Sequence, residues 1–134
     1  MIVLDASAAV EVVLNLPRAA PELRTRLARR GETLHVPHVF GLEVMAAIRR
    51  HALRGALSDR RARRALCALD DLRATRYSHV PLRPRIWELR ENVTPYDAAY
   101  VALAEALRAP LVIVDAALAS AAGAGAEVEL YPSA

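Results

Sequence analysis

Two aspartates in this sequence directly follow short apolar runs. Asp5 follows residues 2–4, which read IVL, and Asp115 follows residues 111–114, which read LVIV. Apolar runs of this length indicate buried strands, so each carboxylate is expected at the carboxyl end of a strand, where parallel sheets bind ligands. Each aspartate also precedes a helical segment and could simply be its N-cap. The two carboxylates can meet only if their strands are neighbours.

A third carboxylate, Asp97, lies in the first turn of a helix predicted to run to about Arg108. Thr94 fits the N-cap position and Pro95 fits the first helical position. The helix macrodipole favours a charged carboxylate at this end. The alanines that follow Asp97 would let the helix lie close to a sheet. The local sequence leaves open the alternative that Asp97 only completes the cap.

Glu43 lies beside the apolar side of a helix predicted over residues 38–53. Its neighbours on the helical projection include Phe40 and Ala47. Acidic side chains normally avoid such a position unless they are paired or bound to a metal ion. A salt bridge to Arg50, on the same side of the helix, is the alternative.

These four carboxylates suggest phosphodiester chemistry that depends on a metal ion. Carboxylates gathered in one cleft repel one another, and Mg²⁺ or Mn²⁺ relieves that repulsion. A cation held in this way activates water for in-line attack on a phosphodiester, with Asp97 or Asp115 positioning the water. The five glycines form neither a P-loop nor a dinucleotide fingerprint, the four histidines are dispersed, and no serine lies in a nucleophile elbow.

Length and composition predict one globular domain over residues 1–134. The chain is 54% apolar, and no apolar run approaches the roughly 20 residues of a membrane span. The single cysteine, Cys67, excludes an internal disulfide and fits a cytoplasmic protein. Because Cys67 stands among apolar residues, we expect it to be buried.

All 18 basic residues are arginines. Seven of them fall between residues 49 and 64, and four follow a predicted N-cap at Ser58: Arg60, Arg61, Arg63 and Arg64. Guanidinium groups pair with phosphate and with carboxylate, so RNA and an acidic protein segment are both candidate partners. A solvated helical face is the third interpretation. Aromatic residues make up only 4% of the chain, which gives little support to a base-stacking platform.

Alternation of apolar runs with helical segments predicts an α/β fold, a parallel sheet with helices on both faces. Further strands are expected at residues 34–36, 77–80 and 128–130. The helix over residues 38–53 and the helix after Ser58 are joined by a short turn and should form a protruding helical hairpin. Trp87, in a short helix expected over residues 84–91, is predicted to anchor that helix to the core.

The chain resembles the PIN-domain family of metal-dependent nucleases and, within it, the VapC toxins of toxin–antitoxin pairs. Four segments carry the resemblance, which covers essentially the whole chain: residues 3–8, 37–44, 96–104 and 111–118. The third, which reads YDAAYVALA, is the most specific. All four segments occur in the family's order and at its spacing.

The resemblance implies a ligand set for one or two Mg²⁺ or Mn²⁺ ions, formed by Asp5, Glu43, Asp97 and Asp115. It adds Ser7 and Asn92 as supporting or substrate-contacting groups. It also implies a five-stranded sheet, a homodimer, an RNA substrate and a VapB-like antitoxin whose tail occupies the active-site groove. One position departs from the family pattern, because Ile113 stands where a Thr or Ser is common.

The sequence therefore favours an endoribonuclease toxin over two alternatives. A protein-binding module that keeps the fold without catalysis would have no reason to hold a divalent ion. A phosphatase that uses Asp5 as nucleophile usually needs a second Asp two residues later and a lysine. Here Ser7 stands at that position and the chain contains no lysine.

Overall fold

The computed structural model describes residues 1–123 and 125–131 and contains a five-stranded sheet. The strands are β1 (Ile2–Leu4), β2 (Leu34–Pro37), β3 (Ala74–Tyr77), β4 (Leu111–Ile113) and β5 (Val128–Leu130). Their order is β3-β2-β1-β4-β5, and all four pairings are parallel. The predicted domain of residues 1–134 includes residues 124 and 132–134, which lie outside the described part.

Helical segments connect the strands. They are α1 (Ala6–Val13), α2 (Ala20–Leu27), α3 (Phe40–Leu53), α4 (Asp59–Asp71), a 3-10 turn (Val80–Leu82), α5 (Arg83–Glu88), α6 (Pro95–Leu107) and α7 (Ala116–Ala121). Every residue of β1 and β4 is buried, so both faces of the central sheet are covered. No helix in the described ranges is long and apolar enough to cross a membrane.

Helix α6 packs against β1, β2 and β4. Its residues 98–104 are all buried, and four of these seven are alanines. Small side chains on this stretch allow the close approach to the sheet that the sequence predicted. The N-terminus of α6 is thereby fixed next to the carboxyl ends of the central strands.

Helices α3 and α4 form the predicted hairpin, which packs onto α1. Gly55 takes a positive φ of 74° in the turn between them, a backbone region that favours glycine. The Ser58 hydroxyl accepts a hydrogen bond of 3.2 Å from the Arg61 amide and caps α4 as expected. Only Ala65 and Leu69 of α4 are buried, so most of this helix faces solvent.

Three sequence predictions are wrong. The third strand covers residues 74–77 rather than 77–80, and the chain after it bends into the 3-10 turn that contains Pro81. Trp87 does not anchor α5, since 65% of its surface is exposed. Cys67 is exposed rather than buried.

Candidate metal and catalytic site

The sheet order places the two strand-end aspartates at the same edge of the sheet. Strands β1 and β4 are neighbours, with Leu4 in register with Val112. The Asp5 amide donates a hydrogen bond of 3.0 Å to the Val112 carbonyl, which extends this pairing to the end of the strand. Asp115 follows β4 by one residue more, so both carboxylates lie at the same edge of the sheet.

Both aspartates are also helix N-caps. An Asp5 carboxylate oxygen accepts a hydrogen bond of 3.0 Å from the Ser7 amide. One oxygen of Asp115 accepts bonds of 2.9 Å and 3.1 Å from the amides of Ala117 and Leu118. The capping interpretation is confirmed for both residues, and it is compatible with a functional one because each carboxylate has a second oxygen.

All four predicted carboxylates line one cleft of about 260 Å³. Asp97 reaches it from the first turn of α6, where the Thr94 hydroxyl accepts a hydrogen bond of 3.3 Å from the Asp97 amide. Glu43 reaches it from the first turn of α3. The described residues lining the cleft are Asp5, Ala6, Ser7, Val10, Glu43, Ala46, Ala47, Arg50, Asp97 and Asp115.

Burial raises the pKa of Asp5, which is 4% exposed, to about 6. Hydrogen bonds from Ser7 oppose the rise, while the nearby charges of Asp97 and Glu43 add to it. A carboxylate in this position holds a proton at a pH where an exposed aspartate is fully ionised. Burial, more than the charges of its neighbours, therefore disfavours the ionised form of Asp5.

Burial also raises the pKa values of Glu43 and Asp97. The Asp97 charge raises the Glu43 pKa further, and the Tyr100 hydroxyl opposes that rise. The Asp115 charge raises the Asp97 pKa further, and the Thr94 hydroxyl opposes that rise. These couplings show that each of the four acids is near at least one other.

Two buried oxygen atoms at the acids lack good hydrogen bonds. Glu43 Oε1 and the Tyr100 hydroxyl are buried, and neither makes a hydrogen bond of normal geometry with the described residues. Buried polar atoms without partners are rare and costly in folded proteins. A buried carboxylate oxygen without a hydrogen bond of normal geometry, on a residue that lines a cleft of acids, is suited to bind a cation.

The donor set fits a hard divalent cation in kind, because carboxylate oxygens are the ligands that Mg²⁺ and Mn²⁺ prefer. In residues 1–123 and 125–131, no three Asp, Glu, His or Cys side chains converge closely enough to hold a metal ion as they stand. The four carboxylates are therefore a candidate ligand set by their chemistry and not by their present arrangement.

Of the other positions singled out from the sequence, one lies in the cleft and two do not. Ser7 lies in the cleft, where its hydroxyl accepts a hydrogen bond of 3.2 Å from the Val114 amide. Asn92 is exposed in the turn before α6 and is not among the described residues that line the cleft. Ile113 is completely buried and also does not line it.

Two residues near the acids were not singled out as functional from the sequence. Arg50 lines the cleft, and within the described part of the chain its side chain forms no ion pair with Glu43, contrary to the alternative interpretation of Glu43. Tyr100 follows Asp97 by three residues, a spacing that places both on one side of α6. That spacing, together with the need of a buried tyrosine hydroxyl for a hydrogen-bond partner, could have identified Tyr100 as a site residue from the sequence.

The four arginines of α4 are all exposed, and they line two neighbouring depressions that share Arg64. Arg61 and Arg64 line a depression of about 260 Å³ next to α1. Arg60 and Arg63, again with Arg64, line a groove of about 520 Å³ that also contains Asp59 and Asp71.

An apolar groove of about 490 Å³ lies beside the N-termini of α3 and α6. Trp87 and Tyr96 line it, and they are 65% and 61% exposed. Exposed aromatic side chains gathered in one groove are typical of an interaction surface.

Comparison with known proteins gives three related results. The model of the PIN domain matches residues 2–124. The chain is 43% identical to ribonuclease VapC9 of Mycobacterium tuberculosis over 132 residues, covering 98% of this chain and 99% of the relative. It is 45% identical to ribonuclease VapC12 of the same organism over 130 residues, covering 97% and 98%.

A solved structure has a similar fold. It is the crystal structure of VapBC2 from Rickettsia felis bound to a DNA fragment from its promoter, and the TM-score is 0.64. The match covers 98% of this chain and 99% of the other, at 14% sequence identity. A likeness at this identity concerns the fold, a five-stranded parallel sheet covered by helices.

Proposed function

The chain belongs to the PIN-domain family, and from this we propose that it is an endoribonuclease of the VapC type, the toxin component of a toxin–antitoxin pair. The observation that carries the proposal is the single cleft lined by Asp5, Glu43, Asp97 and Asp115, which come from four different parts of the chain. Nearly full-length relatives that are named ribonucleases support the choice of RNA as substrate.

We propose that these four carboxylates hold Mg²⁺ or Mn²⁺. When bound, the ion supplies Lewis-acid chemistry for hydrolysis, that is, an activated water and neutralisation of charge at the phosphate. Three features of the chain support binding: the raised pKa values of three acids, the buried Glu43 oxygen without a hydrogen bond of normal geometry, and the purely carboxylate donor set.

The four acids have different surroundings and therefore different roles. Asp5 is buried, and Glu43, like Asp97, is half-buried; a bound cation would favour the ionised forms of all three. Asp115 is exposed and Asp97 is half-buried, so both can reach a water at the scissile phosphate. Ser7 holds the ends of β1 and β4 together through its hydrogen bonds to Asp5 and Val114.

The test is cleavage of RNA by the protein free of antitoxin, with Mg²⁺ or Mn²⁺, beside its Asp97→Asn variant. Asp70→Asn is the matched control, because Asp70 is an exposed acid on α4 outside the cleft. Cutting that needs a divalent ion, is lost in Asp97→Asn and persists in Asp70→Asn would support the proposal. Equal cutting by wild type and Asp97→Asn would identify a contaminating nuclease.

One observation favours the second candidate, a binding module without catalysis: no three described ligands converge as they stand. Calorimetric titration with Mn²⁺ separates the two candidates. Saturable binding that weakens in Glu43→Gln supports the nuclease. No measurable binding, together with no cutting of RNA, would favour the module.

The proposal includes two protein partners. A VapB-like antitoxin is supported by the close relatives named VapC and by the VapBC complex that shares the fold. A homodimer, which the resemblance implies, would have the apolar groove with Trp87 and Tyr96 available for its interface.

A further inference from the structure

We propose that RNA leaving the acid cleft follows the depression that contains Arg61 and Arg64, and that Arg60 and Arg63, which line only the neighbouring groove, do not contact it. This assignment rests on the proposed function. The depression that contains Arg61 and Arg64, here called the basic depression, is lined by Val13, Leu14, Asn15, Leu57, Arg61 and Arg64.

The basic depression adjoins the acid cleft through α1. Val10 lines the cleft, and Val13 lines the depression. The two residues are three positions apart, about 5 Å along the helix axis. A polynucleotide whose scissile phosphate lies in the cleft must continue beyond it, and the depression begins within one helical turn.

The charges of the basic depression match a phosphate backbone. Among the described residues that line it, none is acidic. A third cation stands at its edge, because Arg24 donates a hydrogen bond of 2.6 Å to the Asn15 side chain, and no ion pair of Arg24 occurs in residues 1–123 and 125–131. Guanidinium groups pair well with phosphate oxygens.

The neighbouring groove on α4 has different electrostatics. It contains Asp59 and Asp71 beside Arg60 and Arg63, and it shares Arg64 with the basic depression. Arg63 forms an ion pair of 3.1 Å with Asp59, one turn earlier on the helix. Those carboxylates offset the positive charge and would repel phosphates, so this groove is the poorer place for RNA.

The two depressions can be compared with matched double variants, Arg61→Ala with Arg64→Ala, and Arg60→Ala with Arg63→Ala. Both remove two exposed arginines from α4 and add the same helix-favouring residue. The probe is a labelled single-stranded RNA of random sequence. Its binding is followed by fluorescence anisotropy over a range of salt concentrations in EDTA, so that no cleavage occurs.

We expect the first double variant to flatten the dependence of log K on log salt by about 1.4, since each phosphate contact on a single strand contributes about 0.7. We expect the second to leave the slope at its wild-type value. Equal flattening in both would show that only the overall charge matters and would overturn the assignment. An unchanged slope in the first variant would also overturn it and would leave the depression to a protein partner.

Far-UV circular dichroism melts of both variants show whether the fold is kept. If the first pair is unstable, Arg61→Lys with Arg64→Lys, compared with wild type, keeps the charge and should keep the slope. A wild-type protein that cuts RNA but shows no difference between the double variants would refute this inference alone. One that binds RNA with the expected difference but never cuts it would refute the nuclease and leave the binding surface standing.

Discussion

Replacing Asp5 with Asn removes the charge from the most buried of the four acids while keeping its shape. Asp5 is 4% exposed, and its pKa is raised from 3.8 to about 6, chiefly by burial. A shift of about two pKa units corresponds to about 3 kcal/mol of destabilisation when the group is ionised. Because Asn is as good an N-cap as Asp, the hydrogen bond from the Ser7 amide should survive.

The sign of the stability change follows from the raised pKa of Asp5, because the folded protein binds the proton on this carboxylate more tightly than the unfolded chain does. The proton on Asp5 stabilises the fold fully below the unfolded pKa of 3.8, and this stabilisation is lost as the pH rises through about 6. Without metal at about pH 8, Asp5→Asn should therefore be more stable than wild type, by up to about 3 kcal/mol. Near pH 4 the two proteins should be similar.

The assay is urea unfolding in EDTA at several pH values, with free energies of unfolding from linear extrapolation. Asp115→Asn is the control, because Asp115 also caps a helix but is exposed, so its variant should show no comparable gain. The reasoning would be refuted if Asp5→Asn were no more stable than wild type at about pH 8. RNA cleavage by Asp5→Asn should be lost, as expected when stability is exchanged for function.

Three further predictions concern the rest of the molecule. Saturating Mn²⁺ should raise the melting temperature of wild type and raise it less in Glu43→Gln; equal shifts would place the ion elsewhere. Arg50→Ala should lower kcat/KM for RNA, because Arg50 lines the cleft, while Arg49→Ala, at the exposed neighbouring residue, should not. Equal losses in both variants would show that lining the cleft does not distinguish Arg50 from Arg49. Trp87 is the only tryptophan and is exposed. If a dimer covers it, its fluorescence emission should shift to longer wavelength when the dimer dissociates on dilution. An unchanged emission spectrum across a dimer–monomer transition measured by sedimentation would place the interface elsewhere.

Much of the site followed from local patterns. Asp5 and Asp115 were expected at strand ends because an apolar run followed by an acid and then a helical segment is typical of a strand-to-helix turn. Thr94 and Asp97 were expected in a helix start because capping depends on residues only three apart. The structure contains both arrangements.

Local patterns were less reliable at the margin of the fold. Strand β3 lies at the edge of the sheet and its residues read ATRY, with no apolar run to mark it. Trp87 and Cys67 were expected to be buried because of their own character and that of their neighbours. Whether a helix face is covered depends instead on what packs against it, and no described element covers these two positions.

Thus the sequence by itself determined the types of the functional residues and the turns that carry them. Only the tertiary structure decided which of them meet. Strand β1 lies between β2 and β4, which come from distant parts of the chain, and this order brings Asp5 and Asp115 to the same edge of the sheet. The tertiary structure likewise left Asn92 outside the cleft, brought Arg50 into it and placed the arginines of α4 along two depressions that share Arg64. The physical reason is that helices, strands and caps depend on neighbours within a few residues, whereas strand order and the coverage of helix faces depend on burial of apolar surface across the whole chain.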